Sequence, residues 1–179
     1  MEIIVDKRDM DDIPCDVLGL WHFSDEMPLK GLAGLLDWRL DGRLSEFVLS
    51  GMITGQWGEK VLIGSLKALP DKTVIVLGLG PMKEFDSKRI YDAGMIMSRT
   101  SMSLGKDTIC MPLPGSGIKG VDTVVVAEKL LEGFAGEIGD KNFIPWVVCG
   151  EDDMDEVILG FQKTKVKLKS QIQADIVQV

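Results

Sequence analysis

Histidine occurs once in this chain, at His22, and that scarcity excludes a good deal. A metal-dependent hydrolase gathers several His, Cys, Asp or Glu ligands at one point. Here there is no HExxH, no paired histidine and no closely spaced acidic set inside a patterned segment, so no metal and no cofactor is expected. His22 follows Trp21 at the end of an apolar run and reads as a buried or edge histidine. Cysteine is nearly as sparse. Cys15, Cys110 and Cys149 lie far apart, form no CxxC pair and sit in apolar surroundings, which reads as buried free thiols in a reducing compartment. A cysteine nucleophile would need His22 beside it as a base, and no local signature supports that pairing. Basic charge is in deficit as well: 20 Lys and Arg stand against 28 Asp and Glu, a net charge of −8. Because clustered Lys and Arg dominate phosphate binding, that balance argues against a nucleic-acid or anionic-membrane partner. No apolar run approaches the roughly 18 residues of a membrane span, and the amino terminus lacks a basic region followed by a long apolar core. The expected setting is the cytoplasm. Internal repeats and low-complexity linkers are also missing, and 179 residues with 45% hydrophobic content suffice for one domain with a sizeable core.

What is present is dominated by Asp71-Lys-Thr-Val-Ile-Val-Leu-Gly-Leu-Gly-Pro81, a continuous apolar run that stops at Gly78, Gly80 and Pro81. A strand covered on both faces shows such a run, as in parallel sheets flanked by helices, and ligands bind such sheets beyond the carboxyl ends of the strands. This segment is therefore expected to be the central strand, with Gly78-Leu79-Gly80 either cradling a ligand or only turning the chain. Upstream, Glu2–Val5 and Cys15–Phe23 read as strands neighbouring each other in the sheet. Leu32, Leu35, Leu36 and Leu40 fall at helical spacing, with Pro28 suited to a first turn, and Leu44, Phe47 and Val48 continue as a second short helix. Glu59–Leu66 reads as a strand paired with the central one through the turn at 68–71.

Downstream, Asp86 or Ser87 can cap a helix carrying Ile90, Ala93, Gly94, Met97, Ser101 and Leu104 on one face, stopped by Gly105. The methionines Met95, Met97 and Met102 read as core filling. Thr108–Met111 is a strand, and 122–138 a helix even though Thr123-Val-Val-Val126 alone favours a strand. Asn142–Cys149 is another strand, and Glu151-Asp-Asp-Met-Asp155 opens a helix with an acidic first turn. From Lys163 to Ala174 polar residues hold the odd positions and apolar ones many of the even positions, the period of a strand. The chain thus divides into an α/β domain over 1–162 and an amphipathic strand over 163–179, which either guards a sheet edge or exchanges with another subunit. Alternating strands and helices give a three-layer α/β/α fold, and strands at both termini suggest a mixed sheet.

Gly115-Ser-Gly-Ile-Lys-Gly120 satisfies GxGxxG between a strand and a helix, where backbone N–H groups could hold a phosphate. The acidic residue expected about 20 residues later is missing, and Pro112 and Pro114 are atypical for a dinucleotide fold, so a plain loop fits equally well.

Two families share these segments. Gly34-Leu-Leu-Asp-Trp-Arg-Leu-Asp-Gly-Arg-Leu-Ser-Glu-Phe47, Gly58-Glu-Lys-Val-Leu62, Val76-Leu-Gly-Leu-Gly80 and Ala127-Glu-Lys-Leu-Leu-Glu-Gly133 resemble, in order, the amino-terminal domain of the leucyl aminopeptidase family. The resemblance places that family's zinc ligands and catalytic lysine and arginine in a carboxyl-terminal domain marked by Asn-Thr-Asp-Ala-Glu-Gly-Arg, and this chain ends before such a domain could begin. It implies the fold without the chemistry: a non-catalytic, stand-alone relative acting in assembly, regulation or partner binding, as a homo-oligomer or with a separate peptidase subunit. That domain is in turn similar in fold to macro domains, which bind ADP-ribose. Lys30-Gly-Leu-Ala-Gly-Leu-Leu36 resembles a macro loop, Leu69–Ile75 with Gly80-Pro81 the central strand, and Pro114–Gly120 the second phosphate loop. On that resemblance an ADP-ribose-like ligand would meet Asp9, Gly31, Gly34, Gly78, Gly80, Gly115, Ser116, Gly117 and Gly120. Gly19-Leu-Trp-His-Phe23 replaces the macro family's asparagine-rich segment, so Trp21 and Phe23 would fill the ribose site.

Overall fold

The computed structural model describes residues 2–9, 12–64, 72–168 and 175–179. Within them run the strands β1 (Glu2–Asp6), β2 (Val17–Phe23), β3 (Lys60–Ile63), β4 (Thr73–Gly80), β5 (Thr108–Pro112), β6 (Ile144–Val148) and β7 (Asp175–Gln178). The helices are α1 (Gly31–Arg39), α2 (Arg43–Leu49), α3 (Ser87–Ser103), α4 (Thr123–Ile138) and α5 (Met154–Lys167). The strands form one mixed sheet in the order β3-β4-β2-β5-β6-β1-β7, antiparallel only where β3 meets β4.

Unbroken apolar runs form β2 and β4 because both faces of the sheet are covered; every residue of β2 and all of β4 after Thr73 is buried. Successive side chains alternate between two cores. Val17, Trp21, Phe23, Ile75, Leu77, Leu79, Ile109 and Met111 meet α3, α4 and α5 on one side. Leu18, Leu20, Val74, Val76 and Cys110 meet α1 and α2 on the other. The layers are therefore helix, sheet, helix. Local signals set the helix starts: the Asp86 carboxylate accepts the Arg89 N–H at 2.8 Å, and that of Asp122 accepts the Val125 N–H at 3.1 Å. With Val126, Ala127, Leu130, Leu131, Phe134 and Ile138 buried along one stripe, packing overrides the strand preference of Thr123-Val-Val-Val126.

Four expectations need correction. The apolar run of β4 lies one place from the β3 edge, not at the centre, which β5 occupies. β1 and β2 are not neighbours; β1 sits between β6 and β7, because an apolar run declares burial without naming its partners. Pro28, joined to Met27 by a cis peptide, precedes the first turn of α1 rather than forming it. Lys163–Lys167 is the last part of α5 and not a strand. Phe161 and Thr164 are buried there, the Thr164 hydroxyl donates to the Glu128 carbonyl at 3.2 Å, and Lys163 and Lys167 pair with Glu128 and Glu132 at 3.3 and 2.7 Å. Val157, Phe161, Thr164 and Leu168 recur at four, three and four, a helical spacing that the alternating lysines mask. Residues 169–174 and the turn at 68–71 lie outside the described residues. At the edge opposite β3 lies β7, parallel to β1.

Candidate functional site

Beyond the carboxyl ends of β2 and β5 the chain forms two loops, 24–30 leading into α1 and 113–121 leading into α4, and a cleft opens between them. Gly31, Ala33, Gly115, Ser116, Ile118 and Glu26 contribute to its walls, and Trp21 and Phe23 to its floor. Its free volume is about 70 Å³, well below the roughly 300 Å³ at which ligand pockets begin. Trp21 explains the deficit: its indole N–H donates to the Pro112 carbonyl at 2.7 Å, which fixes the ring across the gap between β2 and β5. Phe23 meets Phe85 edge to face with centroids 5.1 Å apart. Phe85 in turn lies so close over Gly115 that a Cβ there would stand 2.7 Å from the ring. Burial pushes the Glu26 carboxyl above its ordinary range, the direction expected of an acid held in an enclosed wall. Lys30 lines the same cleft, so its wall carries both an acid and a base.

On the outer side of the 113–121 loop is a roomier cavity of about 300 Å³, bordered by Gly115, Ser116, Gly117, Lys119, Thr123 and Asp153. Gly115, Gly117 and Gly120 all adopt positive φ, so the glycine spacing follows from the winding of the loop. Within it the Ser116 and Ile118 amides donate to the Leu113 and Gly115 carbonyls, and the Asp122 carboxylate already caps α4.

The other expected site residues lie elsewhere. Gly78 and Gly80 receive the 54–58 turn, which the Glu59 carboxylate holds by accepting from the Thr54 and Gly55 amides at 2.8 Å each. The Gly78 amide donates to the Glu59 carbonyl at 2.9 Å and the Gly80 amide to that of Gly55 at 2.8 Å. A Cβ on Gly78 would fall 2.0 Å from the Gln56 carbonyl, and one on Gly80 2.5 Å from the Arg89 guanidinium, so these glycines make room for protein. Gly34 lies within α1 against the Leu29 carbonyl, Asp9 is exposed after β1, and Gly120 ends the loop; none of the three lines either cavity. The structure thus brings Gly31, Gly115 and Ser116 together at the narrow cleft, and Gly115, Ser116 and Gly117 at the outer cavity. Sequence reasoning missed Glu26 and Phe85, whose positions depend on how two distant loops meet.

Reactive side chains are few. His22 is 2% exposed with its Nδ1 lacking a hydrogen-bond partner, and burial lowers its pKa. It faces Leu29, Ala33, Leu44, Val48 and Val76 around a void of about 10 Å³ under α1 and α2. The Cys149 thiol is pushed up to about 11 by burial, away from the thiolate form a nucleophile requires. Burial alone would raise the Asp6 carboxyl, but the hydrogen bonds and charge of Arg8 overcome it and hold it below its ordinary value. Among the described residues no group of three or more His, Cys, Asp or Glu could hold a metal ion, and no helix is long and apolar enough to cross a membrane.

Known proteins share this architecture. A macrodomain of Oceanobacillus iheyensis with MES bound superposes with a TM-score of 0.72 at 13% identity, covering 92% of each chain. A tomato leucine aminopeptidase mutant superposes with a TM-score of 0.67 at 16% identity, over 90% of this chain and 35% of that one. Among curated sequences, probable cytosol aminopeptidases of Alkaliphilus oremlandii and Thermosynechococcus vestitus are 25% and 29% identical over 133 and 120 residues, or 74% and 66% of this chain. The chain spans about a quarter of the length of those relatives, 26% and 24%. Residues 17–137 match the model of the cytosol aminopeptidase family, N-terminal domain. By that match, which covers more than half of its length, this protein belongs to the cytosol aminopeptidase family and carries that family's N-terminal domain with a macrodomain-like fold.

Proposed function

We propose that this domain performs no peptidase chemistry itself and works in assembly or regulation, by binding a protein partner in the cytoplasm. The observation that carries this reading is the filled cleft: where loops after β2 and β5 would admit a ligand, Trp21 bonded to Pro112 leaves about 70 Å³. Burial holds Cys149 in its thiol form, and the one histidine is buried beneath α1 and α2. Large apolar side chains meanwhile face outward from those two helices, the usual mark of a surface that meets another protein. The test is aminopeptidase activity of the purified protein on a leucine amide with zinc or manganese supplied. Background hydrolysis is expected, and activity that co-purifies with the chain and follows its concentration would overturn the reading.

A second reading rests on the outer cavity of about 300 Å³ along Gly115–Lys119, which is large enough for part of a phosphate-containing nucleotide. A macrodomain of Oceanobacillus iheyensis has been solved with ADP, and this chain shares its fold. Excess ADP-ribose would then raise the melting temperature by mass action, and Gly117→Glu would abolish the rise. A flat titration leaves the assembly reading in place.

A further inference from the structure

The outer face of α1 and α2 differs from the rest of the surface. Leu35 and Trp38 lie one turn apart on α1, Leu49 ends α2 and Met52 follows it, and all four are exposed, Trp38 to 77% and Leu49 to 76%. Phe47, Leu49 and Met52 line a shallow groove of about 490 Å³ whose rim carries Glu46 and Ser50. Single exposed hydrophobics are ordinary on any protein. Three large ones on two adjoining helices and Met52 just beyond them, one of the four an open tryptophan, form a surface that water covers poorly and that a partner would cover well. Tryptophan is also a favoured anchor at the centre of interfaces.

Charge identifies the occupant. The chain carries −8, yet over 27–52 Lys30, Arg39 and Arg43 balance Asp37, Asp41 and Glu46, so this segment is neutral while the remainder holds the whole excess. A face shaped for a basic partner would share in the acidic excess. A two-fold contact between identical chains sets a patch against itself, so any net charge there would repel, and a neutral patch with both signs interspersed is what that symmetry requires. Arg43 and Glu46, already paired at 3.2 Å on the outside of α2, supply both signs at the rim.

We infer that the outer face of α1 and α2 is the contact between two copies of this chain, with Trp38 of each copy seated in the groove between Phe47 and Met52 of the other. The inference rests on the assembly reading and names its partner. The test is the mass in solution, by light scattering or sedimentation over a range of concentrations, of the full chain and of Trp38→Glu, Leu49→Glu and Leu62→Glu. Leu62 is half exposed on β3, away from the proposed contact, and serves as the control. The expected result is twice the single-chain mass for the parent and for Leu62→Glu. Trp38→Glu and Leu49→Glu, folded by circular dichroism, should dissociate at least about thirtyfold more readily, the effect of losing an interface anchor. Should Trp38→Glu fail to fold, Leu49→Glu decides alone. A parent of single-chain mass at every concentration overturns the inference, as does a dimer that both α1–α2 variants leave intact. Either result leaves assembly with a different protein standing, since that reading falls only to peptidase activity that follows the chain.

Discussion

On one side of the sheet, three helices of 17, 16 and 14 residues press so closely together that glycine backbones touch. A Cβ on Gly133 would lie 2.2 Å from the Tyr91 carbonyl, one on Gly160 2.5 Å from that of Val124, and one on Gly94 2.8 Å from that of Leu130. On the other side, helices of nine and seven residues form a thinner cover. There a histidine nitrogen lacks a partner, and Trp38, Leu49 and Met52 point outward. The two sides bury apolar residues of the same kinds, yet only on the first do neighbouring helices pack to backbone contact. The contrast suggests that stability is concentrated in α3–α5, leaving the α1–α2 side to change its outer residues at little cost to the fold.

The sharpest way to break this comparison is to remove a large side chain from the thick side. Phe134→Ala, at a fully buried position of α4, should cost about 3–5 kcal/mol by urea unfolding, and a loss no larger than that of an exposed residue would show that this core is loose. Gly133→Ala comes next. Its methyl cannot fit against Tyr91 without moving α3 from α4, so a loss of about 1–3 kcal/mol is expected, whereas a neutral result would mean that the two helices slide apart freely.

The third prediction concerns pH and the thin side. Burial, only partly opposed by the charge of Glu59, holds the His22 pKa below its ordinary 6.5. As pH falls through about 6.5 the unfolded chain takes up a proton that the folded one resists, so stability declines from there down to the folded-state value. The carboxyls of Asp6, Glu132 and Glu137, all lowered in the fold, lose their contributions only at more acid pH, while Glu26, raised by burial, gains stability on taking up its proton, so the His22 effect is read as the difference between the parent and His22→Gln. Urea midpoints measured between pH 7.5 and 5.5 should fall for the parent and flatten for His22→Gln; parallel slopes would remove His22 from the explanation. The smallest effect belongs to the surface. Trp38→Ala should leave single-chain stability within about 0.5 kcal/mol, and a larger loss would make the outer face of α1 part of the core.

These differences bear on what the residues alone disclose. Strand β4 and helix α3 were legible because their signals are local: an unbroken apolar run for one, and the Asp86 cap with Ile90, Ala93 and Met97 at helical spacing for the other. Even Thr123-Val-Val-Val126 yielded to the longer pattern that follows it. Strand order was not legible, because Glu2–Asp6 carries no mark directing it to a partner at 144–148. The tail misled because a window of alternating lysines satisfies two periods at once, and only burial of Phe161 and Thr164 against α4 decides between them. At the site, the possibility that Trp21 fills the cleft could be read, but the bond that holds it there joins residues 91 apart in sequence. Gly78 and Gly80 looked like ligand turns because a glycine that admits a phosphate and one that admits a neighbouring carbonyl look the same until the neighbour is known.

The position of β1 also sets a timetable for synthesis. β1 is made before its partners at 144–148 and 175–178, so it waits until those distant segments have followed it. Pairing over so long a separation is slow to form. During that interval Ile3, Ile4 and Val5, destined for burial, have no strand beside them, so the nascent chain is exposed to aggregation through β1.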